Sequence, residues 1–301
     1  MASNNDTDVV LLDSHNLYGY KPSKAATIIF FLLFSVSTLG HIFQAIRYRT
    51  WFMFFTAVLC GGLEMAGWAS RAWSSFSLAS SMPYKIQAST TVLAPTPLLA
   101  ANFIIFGRIV RALGQRYSRL KVRHCTLTFR QHCADVVSLM VQGAGGGIAA
   151  SANTSENANM GSKIILGGII FQLIIIVVFS ACAVDYFIRY KEEAYISSEA
   201  AFQMMNQVDR DIPARAAPGK FTTKLKAMTA AVAFTTLCLF IRAVYRVIEL
   251  AGGWDERIMT TEIYFTVLDG MMIILTIYTT NFIHPGVYLP YPLSISTPSL
   301  S

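Results

Sequence analysis

Charge is what this chain has least of. Of its 301 residues 14% are charged and 54% are hydrophobic, whereas a soluble domain carries about 25% charged residues. That deficit implies a surface facing lipid more than water. Cysteine and histidine are also scarce, five of each. Cys60, Cys125, Cys133, Cys182 and Cys238 show no CxxC spacing. Neither a disulfide framework nor a thiolate metal site is indicated, and they read as small apolar residues. His15, His41, His124, His132 and His284 match no zinc-ligand motif. No glycine-rich phosphate loop is present, which argues against ATP-driven pumping by this chain alone. No cofactor or metal is therefore expected. No cleavable leader is expected either, since the first two dozen residues are polar and acidic and the apolar run after them is long enough to stay as a signal-anchor helix.

What the chain does have is long apolar runs. A spanning helix needs about 20 mostly apolar residues, and seven stretches reach that length, at about 25–45, 51–73, 86–106, 132–151, 164–186, 227–250 and 262–283. The fourth is the weakest because it is rich in glycine. The expectation is an all-α polytopic membrane protein with seven transmembrane helices. Residues 1–24 would form an external amino-terminal segment, 25–285 the seven-helix domain and 286–301 a short cytoplasmic tail. The net charge of +7 would suit nucleic acid, but the basic residues lie in short gaps between apolar runs, where they orient a membrane protein. No nucleic-acid partner is expected. The gaps after spans one, three and five hold 16 Lys and Arg, and the opposite side holds 5. The positive-inside rule then puts the amino terminus outside and the carboxy terminus in the cytoplasm. The two N-x-[ST] glycosylation candidates, Asn5 and Asn153, both fall outside on that reading. The stretch from about 191 to 226, with mixed charge, Pro213 and Pro218, reads as a mobile cytoplasmic loop.

Ionisable residues inside spans are costly, so each is a functional candidate. Glu64 and Arg71 lie in span two, Asp135 and Gln142 in span four, Arg242, Arg246 and Glu249 in span six, and Glu262 and Asp269 in span seven. A separation of seven recurs in every set, close to two turns of helix, so each helix carries one polar stripe and four stripes can face one interior. Depth counted along the helices puts Glu64 and Arg242 near the midplane, and Arg71, Arg246, Glu249, Glu262 and Asp269 in the outer half. With Glu64 and Arg242 counted in, the group holds four acids and three arginines, which leaves one acid over to meet a proton or a cationic ligand. The bland alternative is an ion-pair cluster that holds the helices in register. In span three Pro95 and Pro97 predict a kink or hinge. In span four Gly143 and Gly147 form a GxxxG, read as tight packing within the chain.

Seven passes with an external amino terminus suggest a G-protein-coupled receptor, but the usual signatures are missing. Phe106-Gly107-Arg108 stands where an acidic-Arg-aromatic triplet would, and span seven has no Asn-Pro-x-x-Tyr and no lysine for retinal. The ordered segments match another pattern. These are Tyr18-Gly-Tyr-Lys-Pro-Ser23; His41; Glu64-Met-Ala-Gly-Trp-Ala-Ser-Arg71; Leu93-Ala-Pro95; Gly107-Arg108; Asp135-Val-Val-Ser-Leu-Met-Val-Gln142; Gly167-Gly168 with Gln172; Ile241-Arg242-Ala-Val-Tyr-Arg246-Val-Ile-Glu249; Glu262 and Asp269; and His284-Pro285. From Tyr18 to Pro285 the chain resembles the fungal lipid-translocating exporter family, the RTA-like seven-pass proteins linked to resistance to aminocholesterol and sphingoid long-chain bases. Trp68 stands where that family more often has tyrosine.

The resemblance implies a plasma-membrane translocator or exporter of amphipathic lipids or toxic lipid-like compounds that confers resistance. Its partners would be membrane lipids, including cationic sphingoid bases and sterol-like amines. Glu64, Arg71, Asp135, Gln142, Arg242, Arg246, Glu249 and Asp269 would line its cavity. Two alternatives stand beside it. One is a lipid-sensing seven-pass receptor or regulator that alters lipid asymmetry indirectly. The other is an intramembrane metal-dependent lipid hydrolase built on His41, His132, Asp135 and His284.

Overall fold

The computed structural model describes residues 22–76, 81–113, 137–149, 151, 155–206, 221–252 and 261–289. Among them every regular element is helical. The helices are α1 Lys24–Arg47, α2 Trp51–Phe76, α3 Ser81–Leu93, α4 Pro95–Leu113, α5 Val137–Ala149, α6 Ser155–Asn206, α7 Thr223–Gly252, α8 at 262–282 and α9 Pro285–Tyr288. Six stretches, α1, α2, α3 with α4, α6, α7 and α8 with α9, are long and apolar enough to cross a bilayer. The chain is an integral, multi-pass membrane protein. The expected fourth span is represented by the apolar helix α5, 13 residues long. Residues 132–136, and with them His132 and Asp135, lie outside the described residues, as do Asn5, Asn153, Cys125 and Cys133.

Each helix ends for a local reason. Ser23 caps α1, its Oγ accepting from the Ala26 amide, which satisfies one of the free N–H groups of a first turn. Pro95 stands at the first position of α4, where its missing N–H costs nothing and its fixed φ suits a helix start. The kink expected at Pro95 and Pro97 is thus a break at Ala94 between two helices. Span five departs further from expectation. α6 runs unbroken for 52 residues to Asn206, about 78 Å at 1.5 Å per residue, far beyond the ~30 Å hydrocarbon core. The first part of the stretch read as a loop is therefore helix. Mixed charge misled the reading, because an exposed helix also carries it, as the Asp185–Arg189 pair one turn apart does at 2.8 Å.

In the bundle α2 packs on α1 and α3, α7 packs on α6, α8 and α4, and α8 closes on α1. Glycines set the closest approaches. A Cβ on Gly270 of α8 would lie 2.6 Å from Trp68 Cζ2 and 2.7 Å from Phe30 Cε1, so only glycine admits the stacked Phe30–Trp68 pair, whose ring centroids are 4.3 Å apart. The GxxxG of α5 is not a contact of this kind. A Cβ on Gly147 would meet nothing within 4 Å and one on Gly143 would only touch Leu93. The tight position is Gly145, where a Cβ would lie 2.9 Å from the Ile165 backbone.

Candidate functional site

The polar stripes meet in two separate clusters. The first is ionic and joins α2, α7 and α8, with α3 as its wall. Asp269 is 1% exposed and forms ion pairs with both arginines of α7. Arg242 Nε lies 2.9 Å from Oδ1, while Arg246 donates through Nε at 2.7 Å and through its terminal nitrogen to Oδ2 at 2.8 Å. Arg246 also reaches Glu249 Oε2 at 2.8 Å, and the Tyr245 hydroxyl donates to Glu249 Oε1 at 3.0 Å. On α3, Thr91 completes the set, its hydroxyl taking Arg246 at 3.0 Å and its carbonyl taking Arg242. Toward the start of α8, Arg71 pairs with Glu262 at 2.9 Å. Glu262 in turn accepts the Ser23 amide at 2.9 Å, which ties α8 to the first turn of α1. The Phe265 ring lies between the two ionic groups, 4.7 Å from the Arg71 guanidinium and 5.2 Å from that of Arg246. A ring face there stabilises both cations.

The turns that carry Asp269 are not α-helical. Residues Phe265–Met271 form a π-helical stretch, a rare geometry that is frequent at functional sites; α2 has a second one at Phe54–Val58. The stretch in α8 widens the backbone where that helix must hold Asp269 toward α7 while Glu262, seven residues earlier, turns to α2.

Charge bookkeeping singles out one residue. Three guanidiniums, Arg71, Arg242 and Arg246, face four carboxylates, Glu64, Glu249, Glu262 and Asp269. The salt bridges among the described residues use the last three. Glu64 is 0% exposed. Its Oε2 accepts only the Trp68 indole N–H at 3.2 Å, and its Oε1 has no partner. A buried acid that makes no salt bridge of its own costs several kcal/mol in a low-dielectric interior, so its retention calls for a cation or a proton.

The second cluster is neutral and joins α4, α5 and α6. Gln142 donates to Gln172 Oε1 and to Ser138 Oγ, both at 3.0 Å, and Ser138 donates to the Gly168 carbonyl at 3.1 Å. Thr96, between the two prolines, lies 3.4 Å from each glutamine carbonyl. Gln142 was expected on the same interior as the acids; the fold instead closes it in this amide group. Thr91, Tyr245 and Phe265 were not foreseen, because neutral side chains carry no sequence signal for binding an ion pair. Among the described residues no group of three or more His, Cys, Asp and Glu is placed to hold a metal ion.

A polytopic helical bundle with a buried arginine–carboxylate cluster is the class these observations define. The family described as RTA1 like protein matches residues 57–291, and the chain belongs to it. Named relatives include the sphingoid long-chain base transporter RSB1 of Saccharomyces cerevisiae, 25% identical over 292 residues that cover 91% of this chain and 75% of the relative. The lipid-translocating exporter-like protein RTA1 of Leptosphaeria maculans is 24% identical over 305 residues, 94% of this chain and 53% of that one. Protoporphyrin uptake protein 1 of Saccharomyces cerevisiae is 23% identical over 299 residues, 87% of this chain and 89% of that one. No solved structure matches.

Proposed function

We propose that this protein translocates amphipathic lipids across the membrane, with cationic long-chain amines as its substrates, and that Glu64 receives the amine. The observation that carries this reading is the acid left over when every arginine of the cluster has found a partner. An ammonium group would give Glu64 the direct salt bridge that the cluster does not supply, and the hydrocarbon tail of such a lipid needs no polar surface. The names of relatives support the lipid class; their titles speak of transport, export and uptake, so direction is left to the assay. Resistance to toxic lipids follows if the movement runs outward at the plasma membrane.

The proposed setting is a seven-pass topology with the amino terminus outside and the carboxy terminus in the cytoplasm. α5 counts as the fourth pass because its Ser138 and Gln142 pack at the level of Thr96 and Gly168, inside the bundle. Glycosidase-sensitive modification at Asn5 checks the orientation, and Asn153 is the second site to test.

The deciding experiment uses purified protein in vesicles with a labelled sphingoid base, and a sterol-like amine as second probe. Movement by the wild type and its loss in Glu64→Gln support the reading. No movement by purified protein, with lipid resistance intact in cells, overturns it in favour of a lipid-sensing regulator.

A further inference from the structure

A second site lies away from the ionic cluster. Residues 177–187 of α6 and 229–240 of α7, with Phe106 and Ile109 of α4, line a groove of about 470 Å³. That volume lies within the roughly 300–1,000 Å³ of ligand sites. Its lips, Val177, Val184 and Leu237, are exposed, so it opens sideways toward the surrounding lipid. Phe179, wedged against Phe103 and Phe106 at 4.5 and 5.2 Å, closes it from the bundle interior.

The groove offers little polar surface. The Ser180 and Thr229 hydroxyls donate to the carbonyls of Ile176 and Leu225 at 2.8 and 2.9 Å. Thr236 Oγ1 accepts the Asn102 amide at 3.3 Å. Such a lining suits an occupant that is hydrocarbon along its length. Residues 177–187 of α6 make the groove about 15 Å long, half of the ~30 Å hydrocarbon core, which is the depth of one leaflet.

One end is aromatic and basic. Phe187 lines the groove and meets Phe221, which meets Tyr190. The Lys226 ammonium lies 5.9 Å from the Phe221 ring, Lys191 stands one turn beyond Phe187 on the groove face of α6, and both lysines are exposed. Among the described residues the acids near this end are Asp185, bound to Arg189, and exposed Glu192. Lys191, Lys226 and Arg189 against these two acids leave an excess of positive charge where a headgroup would sit.

We infer that this groove binds one acyl chain of an anionic glycerophospholipid, its headgroup held by Lys191 and Lys226. The site is separate from Glu64 and opposite to it in charge preference, so it does not rest on the transport reading. On the proposed topology the basic end faces the cytoplasm and the lipid belongs to the inner leaflet.

The test is native mass spectrometry of the purified full chain with palmitoyl-oleoyl phosphatidylserine or phosphatidylcholine. The wild type should retain phosphatidylserine about tenfold more strongly, as expected from two lysines near a headgroup of net negative charge, which phosphatidylcholine lacks. Ala233→Trp, which fills the groove from an exposed position, should lose both lipids. Lys191→Glu with Lys226→Glu should lose the preference and keep the chain site. Equal retention of the two lipids by the wild type, or undiminished retention by a monodisperse Ala233→Trp, overturns the inference. Val184→Trp on the facing helix repeats the block should Ala233→Trp not fold. A photoreactive acyl chain gives a reading on the wild type alone: crosslinks should fall on 177–187 or 229–240, and crosslinks confined elsewhere overturn the site.

Discussion

The ionic cluster of α2, α7 and α8 and the amide cluster of α4, α5 and α6 bury polar side chains in one bundle by different means. In the amide cluster Gln142, Gln172, Ser138 and Thr96 satisfy one another, and the group is electrically neutral. It can hold three helices together with nothing added. In the ionic cluster the pairs are stronger individually, but four acids against three arginines cannot balance. A closed neutral network serves as a fastener, whereas an unbalanced charged one is poised to take up a cation. The difference lies in stoichiometry rather than depth, since Gln142 and Glu64 are equally buried.

The largest test of that contrast is Asp269→Asn. It removes the carboxylate that serves both Arg242 and Arg246, and breaking a buried pair costs about 3–5 kcal/mol. The thermal midpoint of the purified protein should collapse, or no monodisperse protein should be recovered. A midpoint near that of the wild type would mean that the arginines have other counter-charges and that the ionic cluster is no more critical than the amide one.

Gly270→Ala comes next, because its Cβ would enter the Phe30–Trp68 stack that backs Glu64. Overpacking of this kind costs about 1–3 kcal/mol, read as a lower midpoint without loss of the ion pairs. The amide cluster should respond less. Gln142→Leu strands partners on Gln172 and Ser138, and hydrogen bonds between membrane helices are worth about 0.6 kcal/mol on average. Adding Gln172→Leu should recover part of that loss, since removing both partners spares the penalty of an unmet one. A double variant worse than the sum of the singles would contradict the picture of a neutral fastener.

Glu64→Gln should have the smallest effect on stability, within about 0.5 kcal/mol or in the favourable direction, because it replaces an unpaired acid and still accepts from Trp68. Its effect on translocation should be the reverse, a loss. A variant that is both strongly destabilised and inactive would make Glu64 one more structural member and erase the distinction between the clusters.

The apolar lengths of the spans were legible in the sequence. The first, sixth and seventh stretches begin and end within a few residues of α1, α7 and α8, because a bilayer sets helix length directly. The surplus acid was also legible from the count of charges. Which acid it is was not. The 3.6-residue repeat puts Glu64 and Arg71 on one face of α2, yet Arg71 turns to Glu262 and Glu64 to Trp68. The π-helical turns of α8 lie outside any α-helical spacing argument, and they separate the roles of Glu262 and Asp269. The continuation of α6 to Asn206 was hidden because composition alone cannot tell a charged helix from a charged loop.

By itself the sequence determined that the chain lives in a membrane, roughly where its apolar spans lie, and that charged groups must meet inside them, since hydrocarbon leaves an isolated ion nowhere else to go. Only the tertiary structure decided how those groups divide: Asp269 between two arginines, Gln142 away among amides, Glu64 with none. Pairing depends on how neighbouring helices are rotated and how closely they approach, and those quantities are set by packing at positions such as Gly270 and Gly145, where the side chains that fix the geometry come from distant parts of the chain.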